Sequence, residues 1–218
     1  LLFVPSSPPP DLFDPQRKPR VKLYVKRVFI TDDCEGLVPT YLRFLRGIVD
    51  SEDLSLNISR ELLQHDPKLA KIRKGLVKRV LGELKKKATK KADDYAAFWE
   101  NFGAVLKEGI YEDADNRDAL LALSRFHTTE GADPVSLDAY VERMKEGQDA
   151  IYYIAGEDVD TLRLSPQIEG FKVRGLEVLL LADPVDEFWL PVVGAFNEKT
   201  FTSVTRGTTD LDAFAAAD

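Results

Sequence analysis

Apolar residues recur along this chain with two different periods, and the switches between them outline its elements. In "RVKLYVKRVFI", Val21, Leu23 and Val25 alternate with other side chains before a continuous apolar run, the pattern of a strand that enters a core. "YLRFLRGIV" places Tyr41, Leu42, Leu45, Ile48 and Val49 at helical spacing. Asp66 and Pro67 then supply a cap and a first-position proline for a helix whose single apolar stripe is Leu69, Ile72, Leu76, Val80 and Leu84. "DDYAAFWENFGAVLKEG" predicts a further helix ending near Gly109, with Tyr95, Phe98, Trp99, Phe102, Val105 and Leu106 inward. "NRDALLALSRF" predicts another, so residues 93 to 127 read as wholly helical.

The last part follows a different pattern. "SLDAYVERMKEG" is a helix capped at Ser136, "AIYYIAG" a nearly all-apolar strand, residues 158 to 174 helical, and "LEVLLLA" a second buried strand. "DPVDEFWL" begins a helix at Asp183 and Pro184. Strand, crossover helices, strand and helix make a parallel unit, whose connection is right-handed. Residues 5 to 20 are proline-rich and polar, a loop in which Leu12 and Phe13 have little nearby sequence to bury them. Phe188 and Trp189 are adjacent helix positions that cannot both point inward, so at least one belongs to the core and the other can be exposed.

Composition adds a size and a setting. With 218 residues, 44% apolar and 31% charged, the chain describes a soluble globular protein of one elongated or two compact parts. No apolar run approaches the roughly 20 residues of a membrane span. The start lacks methionine and the basic flank of a signal peptide, so the chain reads as a piece of something longer. A single cysteine, Cys34, builds no internal disulfide and fits a reducing cytoplasm. The net charge of -7 is uneven: from Arg60 to Lys91, 12 Lys and Arg stand against 3 Asp and Glu, a net of +9, leaving 18 against 34 elsewhere. A basic segment in an acidic body suits a local anionic partner and argues against coating by nucleic acid, which the acidic remainder repels. The lysine-rich "KKKATKK" end is a solvated face that complements the helix dipole.

Candidate chemistry centres on "LNISRELLQ", residues 56 to 64. Ser59 reads as an N-cap, which puts Glu61 where the helix dipole favours it and Arg60 where the dipole opposes it. A local rule broken in this way points to an anion, and phosphate is the obvious one. From position alone Arg60 is also explained as a surface arginine pairing with Glu61 or with the acids at 50 to 53, Gln64 as a solvent-facing helix residue, and Asn57 as a turn or cap residue. His65 and His127 lie far apart with no ligand spacing, so no metal site is expected. No G-x-G-x-x-G, P-loop or nucleophile elbow is present.

The stretches "LFVP" with "DLF", "KLYVKRVFITDDCEGLVPTYLRFLRGIVDSEDLSLNISRELLQ", "FWENFGAVLKEGIYED", "SLDAYVERMKEGQDAIYYIAGE" and "GLEVLLLADPVDEF" together resemble the middle segment of the ninety-kilodalton heat-shock chaperones, bacterial form included. The resemblance implies an α/β fold of two αβα sandwich subdomains, a larger amino-terminal one over residues 1–92 and a smaller one over 128–218, joined by a helical connector over 93–127. It also implies an ATP-driven chaperone whose amino-terminal nucleotide-binding domain and carboxy-terminal dimerisation domain lie elsewhere. The arginine that such segments lend to the ATP gamma-phosphate falls on Arg60, with Gln64 and Asn57 in the same loop. ATP and Mg2+ are then expected in the amino-terminal domain, with none in this segment, which by itself is expected to be inactive and monomeric within a homodimeric whole. Client proteins are expected at exposed apolar side chains, for which Leu12, Phe13, Phe188 and Trp189 are the candidates. Where relatives commonly read P-F-D-L-F, this chain has Pro10 in the aromatic position, so the patch there is smaller. A plain protein-interaction module without chemistry is the alternative, and a nucleic-acid binder using residues 68 to 91 ranks third.

Overall fold

The computed structural model describes residues 1–14, 20–56, 63, 65–206 and 211–214. The chain divides into two compact units, Leu1–Leu106 and Lys107–Asp218, and among the described residues its strands form two sheets.

In the first unit the sheet order is β1-β4-β2-β3, from β1 (Leu2–Phe3), β2 (Arg20–Val25), β3 (Val28–Thr31) and β4 (Arg46–Ser51). β2 and β4 run parallel in register from Arg20 opposite Arg46 to Val25 opposite Ser51. The expected alternation in β2 holds, with Val21, Leu23 and Val25 buried. The apolar run after it does not plunge into the core: β3 is an edge strand on which Val28 and Phe29 are each 51% exposed. The helix expected over "YLRFLRGIV" is a correction. A 3-10 turn at Thr40–Leu42 is followed by strand β4, because Gly47 sits at φ +134, outside helical backbone, and β-branched Ile48 and Val49 suit a pleated strand.

Helix α1 (Pro67–Lys90) begins as its sequence predicts, with the Asp66 side chain accepting from the Lys68 amide. Its buried residues are Leu69, Val77, Leu81 and Leu84. Leu76 and Val80 stand at the edge of that stripe, lining a groove of about 600 Å³ with Leu2, Phe3 and Leu45. Helix α2 (Ala92–Glu112) carries Tyr95, Phe98, Phe102, Val105 and Leu106 inward. Within the first unit, Phe98 and Phe102 pack on Phe44 with ring centroids 5.6 and 5.0 Å away.

The second unit continues with α3 (Arg117–Leu123), β5 (His127–Thr128), α4 (Leu137–Glu142), β6 (Ala150–Ala155), α5 (Val159–Arg163), α6 (Glu169–Val173), β7 (Val178–Leu181), α7 (Asp186–Val193), β8 (Ala195–Phe196) and β9 (Lys199–Ser203). Helix therefore ends at Leu123, and His127 opens a strand where helix was expected. The sheet order is β5-β7-β6-β9-β8, with β6 parallel to both β7 and β9. Tyr152, Ile154, Val178 and Leu180 join Leu162 of α5 and Phe171 of α6 in one core. Ile151 and its parallel partner Phe201 lie on the opposite face, where Trp189 of α7 meets Phe201 edge-on at 5.4 Å. Helices thus cover both faces of this sheet, as a sandwich requires. The β8–β9 hairpin carried no apolar alternation strong enough to be predicted; Asn197 and Glu198 at φ +47 and +64 make its turn.

Candidate functional site

Arg60, Gln64 and Asn57, the residues expected to meet phosphate, lie outside the described residues, and what is described is the frame on either side of them. The connection from β4 to α1 leaves the carboxyl end of β4 beside the carboxyl end of its parallel neighbour β2. That end of an open α/β sheet is where ligand chemistry gathers. Leu54 before the stretch and Leu63 within it are each 2% exposed, so both of these apolar side chains belong to the core. Lys68, in the first turn of α1, reaches back and donates to the Asp53 carbonyl at 2.7 Å, while the Asp53 amide donates to the Ser51 hydroxyl at 3.3 Å.

The β2–β3 hairpin turn borders the same place. Lys26 and Arg27 have φ of +50 and +67, the left-handed pair that a two-residue hairpin demands. The Lys26 amide donates to the Ser51 carbonyl at 3.0 Å and the Arg27 amide to Asp50 Oδ1 at 3.1 Å. Both side chains are exposed.

The four apolar candidates divide evenly. Leu12 is 1% exposed and Trp189 fully buried, whereas Phe13 is 65% and Phe188 60% exposed. The expectation that the proline-rich loop leaves Leu12 with little to bury it is corrected: the loop turns back on itself, and Arg43 Nε donates to the Leu12 carbonyl at 2.8 Å. The Arg43 guanidinium sits 5.9 Å from the centre of the Phe13 ring. Phe188 meets Tyr111 edge-on at 6.1 Å, and Tyr111 is itself half exposed.

A buried charge cluster in the second unit escaped sequence reasoning. Lys107, 3% exposed, places its ammonium 2.7 Å from Asp186 and 2.5 Å from Asp183, over the Phe126 ring. Asp186 also accepts from Trp189 Nε1 at 2.8 Å and from the Asp183 amide at 3.1 Å. Burial pushes the Asp186 carboxyl above its ordinary pKa, against the opposing pull of Lys107. This arrangement locks the start of α7 and gives the Trp189 ring its place. A second lock joins Arg143 to Glu177 through two hydrogen bonds of 3.0 and 2.6 Å, next to the buried Tyr140 hydroxyl, which donates to the Glu177 carbonyl.

The remaining candidates look structural. Burial and then the Asp33 charge push the Cys34 thiol up to about 11, away from nucleophilic chemistry. His127 Nδ1 lies 3.2 Å from the Ala132 carbonyl. Among the described residues no three His, Cys, Asp or Glu are grouped to hold a metal, and no helix is long and apolar enough to cross a membrane. The lysines at the end of α1 are largely exposed, with Lys86 pairing Glu83 at 2.9 Å and lowering its pKa.

Comparison with known proteins gives consistent matches. The family model described as Hsp90 protein matches residues 1–217. Chaperone protein HtpG of Rhodospirillum rubrum is 58% identical over the whole chain, and that of Paramagnetospirillum magneticum 59%. The chain spans 35% of the length of each of these relatives. Among solved structures, a chain described as the middle domain of a Plasmodium falciparum heat shock protein matches with a TM-score of 0.79 and 33% identity, over 94% of this chain and 81% of that one.

Proposed function

This chain belongs to the Hsp90 family and is a middle domain of it, and from that premise we propose that in the intact chaperone it lends Arg60 to the gamma-phosphate of an ATP held by a separate amino-terminal domain. The nucleotide, with its magnesium, supplies the phosphoryl group that is transferred. As the bond to the leaving phosphate breaks, negative charge redistributes over the phosphoryl oxygens, and a guanidinium positioned beforehand lowers the barrier without reorganising. Gln64, one helical turn beyond Arg60 if the helix starts at Ser59, steadies the same phosphate or orders the attacking water, and Asn57 adds a contact from the same stretch. Arg60 alone hydrolyses nothing, so the isolated segment is inactive.

The observation that supports this reading is the placement of the connection that carries Arg60. Its described ends are the carboxyl end of β4, beside that of its parallel neighbour β2, and the buried side chains of Leu54 and Leu63, which suits a ligand-facing segment between them. In the full-length protein, Arg60→Ala is expected to slow ATP turnover by about 10³-fold or more, while nucleotide affinity changes little because the other domain holds the nucleotide. Unchanged turnover would end the assignment.

The second function in this reading is client binding in a bacterial cytoplasm, by a homodimer whose dimer contacts lie in the carboxy-terminal domain. Phe13 and Phe188 are favoured for it because both rings are mostly exposed. Leu12 and Trp189, which are buried, act behind them.

A further inference from the structure

The β2–β3 hairpin is built from the wrong residues for stability alone. A two-residue turn with both central φ positive is best served by Asn-Gly, and non-glycine residues take that backbone at an energetic cost. Another such turn among the described residues places an asparagine, Asn197, in its first central position. The hairpin at the carboxyl end of β2 instead spends both positions on cations, Lys26 and Arg27. Their backbone amides are fixed by Ser51 and Asp50, the last residues of β4 before the connection to α1. Asp50, Glu52 and Asp53 are close in sequence to that anchor, yet among the described residues neither the Lys26 ammonium nor the Arg27 guanidinium makes an ion pair. Two exposed cations held on rigid, costly backbone and not used to neutralise neighbouring acids are arranged for an anion that arrives from outside.

We propose that Lys26 and Arg27, held against the end of β4, form a second phosphate-facing contact for the polyphosphate of the nucleotide. This rests on the reading that Arg60 meets the gamma-phosphate, and it adds binding positions for the same anion from the neighbouring strand end. The turn fixes the backbone from which both cations project, so docking of the anion costs side-chain freedom but no ordering of the loop.

The test replaces the turn by the pair its backbone prefers. Lys26→Asn with Arg27→Gly in the full-length protein keeps the hairpin and removes both charges, so the melting temperature is expected to stay or rise. ATP turnover is expected to fall about tenfold or more, and Lys26→Arg alone is expected to retain it. Lys26→Gln with Arg27→Gln, which keeps side chains of similar reach without glycine, is expected to lose turnover equally. The isolated chain is titrated in parallel with inorganic triphosphate at low salt, where the wild type is expected to bind about tenfold tighter than either double variant. Turnover within twofold of wild type in both double variants overturns the inference. Lost turnover with unchanged triphosphate binding assigns the cations to an acidic protein surface instead and overturns the phosphate contact. Arg60→Ala in the same assay separates the two readings: if it also leaves turnover intact the gamma-phosphate assignment fails, and if it alone lowers turnover only the hairpin contact fails.

Discussion

A lysine that is 3% exposed must be matched by anions, because an unpaired ammonium inside a protein is far more costly than the pair is favourable. Lys107 has two, and the buried one, Asp186, also fixes the Trp189 indole. Asp186→Ala is therefore expected to destabilise the isolated chain by roughly 3 kcal/mol, at the lower end for a broken buried pair because Asp183 remains. Asp183→Ala, on the more exposed partner, is expected to cost less. Equilibrium denaturation checks both, and equal effects would mean that the pair is not the buried lock it looks to be. The sequence held a faint signal for this cluster. Gly103 and Ile110, one turn before and one after Lys107 on α2, are buried, so the lysine points the same way as core residues. Nothing local connects it to "DPVDEF" 76 or more positions away, and only the fold supplies that pairing. The expectation for Arg60 rests instead on a local pattern, a cation in the first turn of a helix capped at Ser59, and both residues lie outside the described ones.

Among elements, long regular ones were legible and short ones only in part. α1 was readable from its cap and proline, and β2, β6 and β7 from alternation or all-apolar runs. β4 was not, because "YLRFLRGIV" satisfies a helical stripe as well as a turn followed by a strand, and only pairing with β2 decides between them. Gly47 was the discriminating residue. At φ +134, a Cβ there would collide with the Leu1 carbonyl oxygen, which accepts from the Ile48 amide at 2.8 Å. Gly47→Ala is expected to cost roughly 2 kcal/mol and to open the β1–β4 pairing first, visible as faster amide hydrogen exchange at Ile48. An alanine tolerated without loss would mean that the backbone there relaxes freely. The stripe of α1 shows a subtler error of the same kind: a pattern of five apolar positions names the correct face but not its centre, which lies nearer Val77 and Leu81 than Ile72. The two hairpins went unseen for a third reason, since their turns use Lys-Arg and Asn-Glu where Asn-Gly would have announced them.

For the whole molecule, each unit has its own sheet and core, and the apolar side chains left outside are the ones free to meet other proteins. The adjacent pair Phe188 and Trp189 separates the two roles within one helix. Trp189 is fully buried between Phe126 and Phe201, so Trp189→Ser is expected to lower the melting temperature of the chain sharply. Phe188 is 60% exposed and touches Tyr111 at the surface, so Phe188→Ser is expected to leave stability nearly unchanged. If exposed aromatics hold unfolded clients, the same substitution weakens binding of a permanently unfolded polypeptide to the full-length chaperone by about tenfold. Phe13→Ser, on the first unit, is expected to have a smaller effect, because Arg43 lies against its ring and Pro10 adds no second aromatic beside it. Client affinity that survives Phe188→Ser in a chain of unaltered melting temperature would place the client contact elsewhere. Affinity lost only together with stability, as expected for Trp189→Ser, would show that integrity of the unit matters and that the surface ring does not.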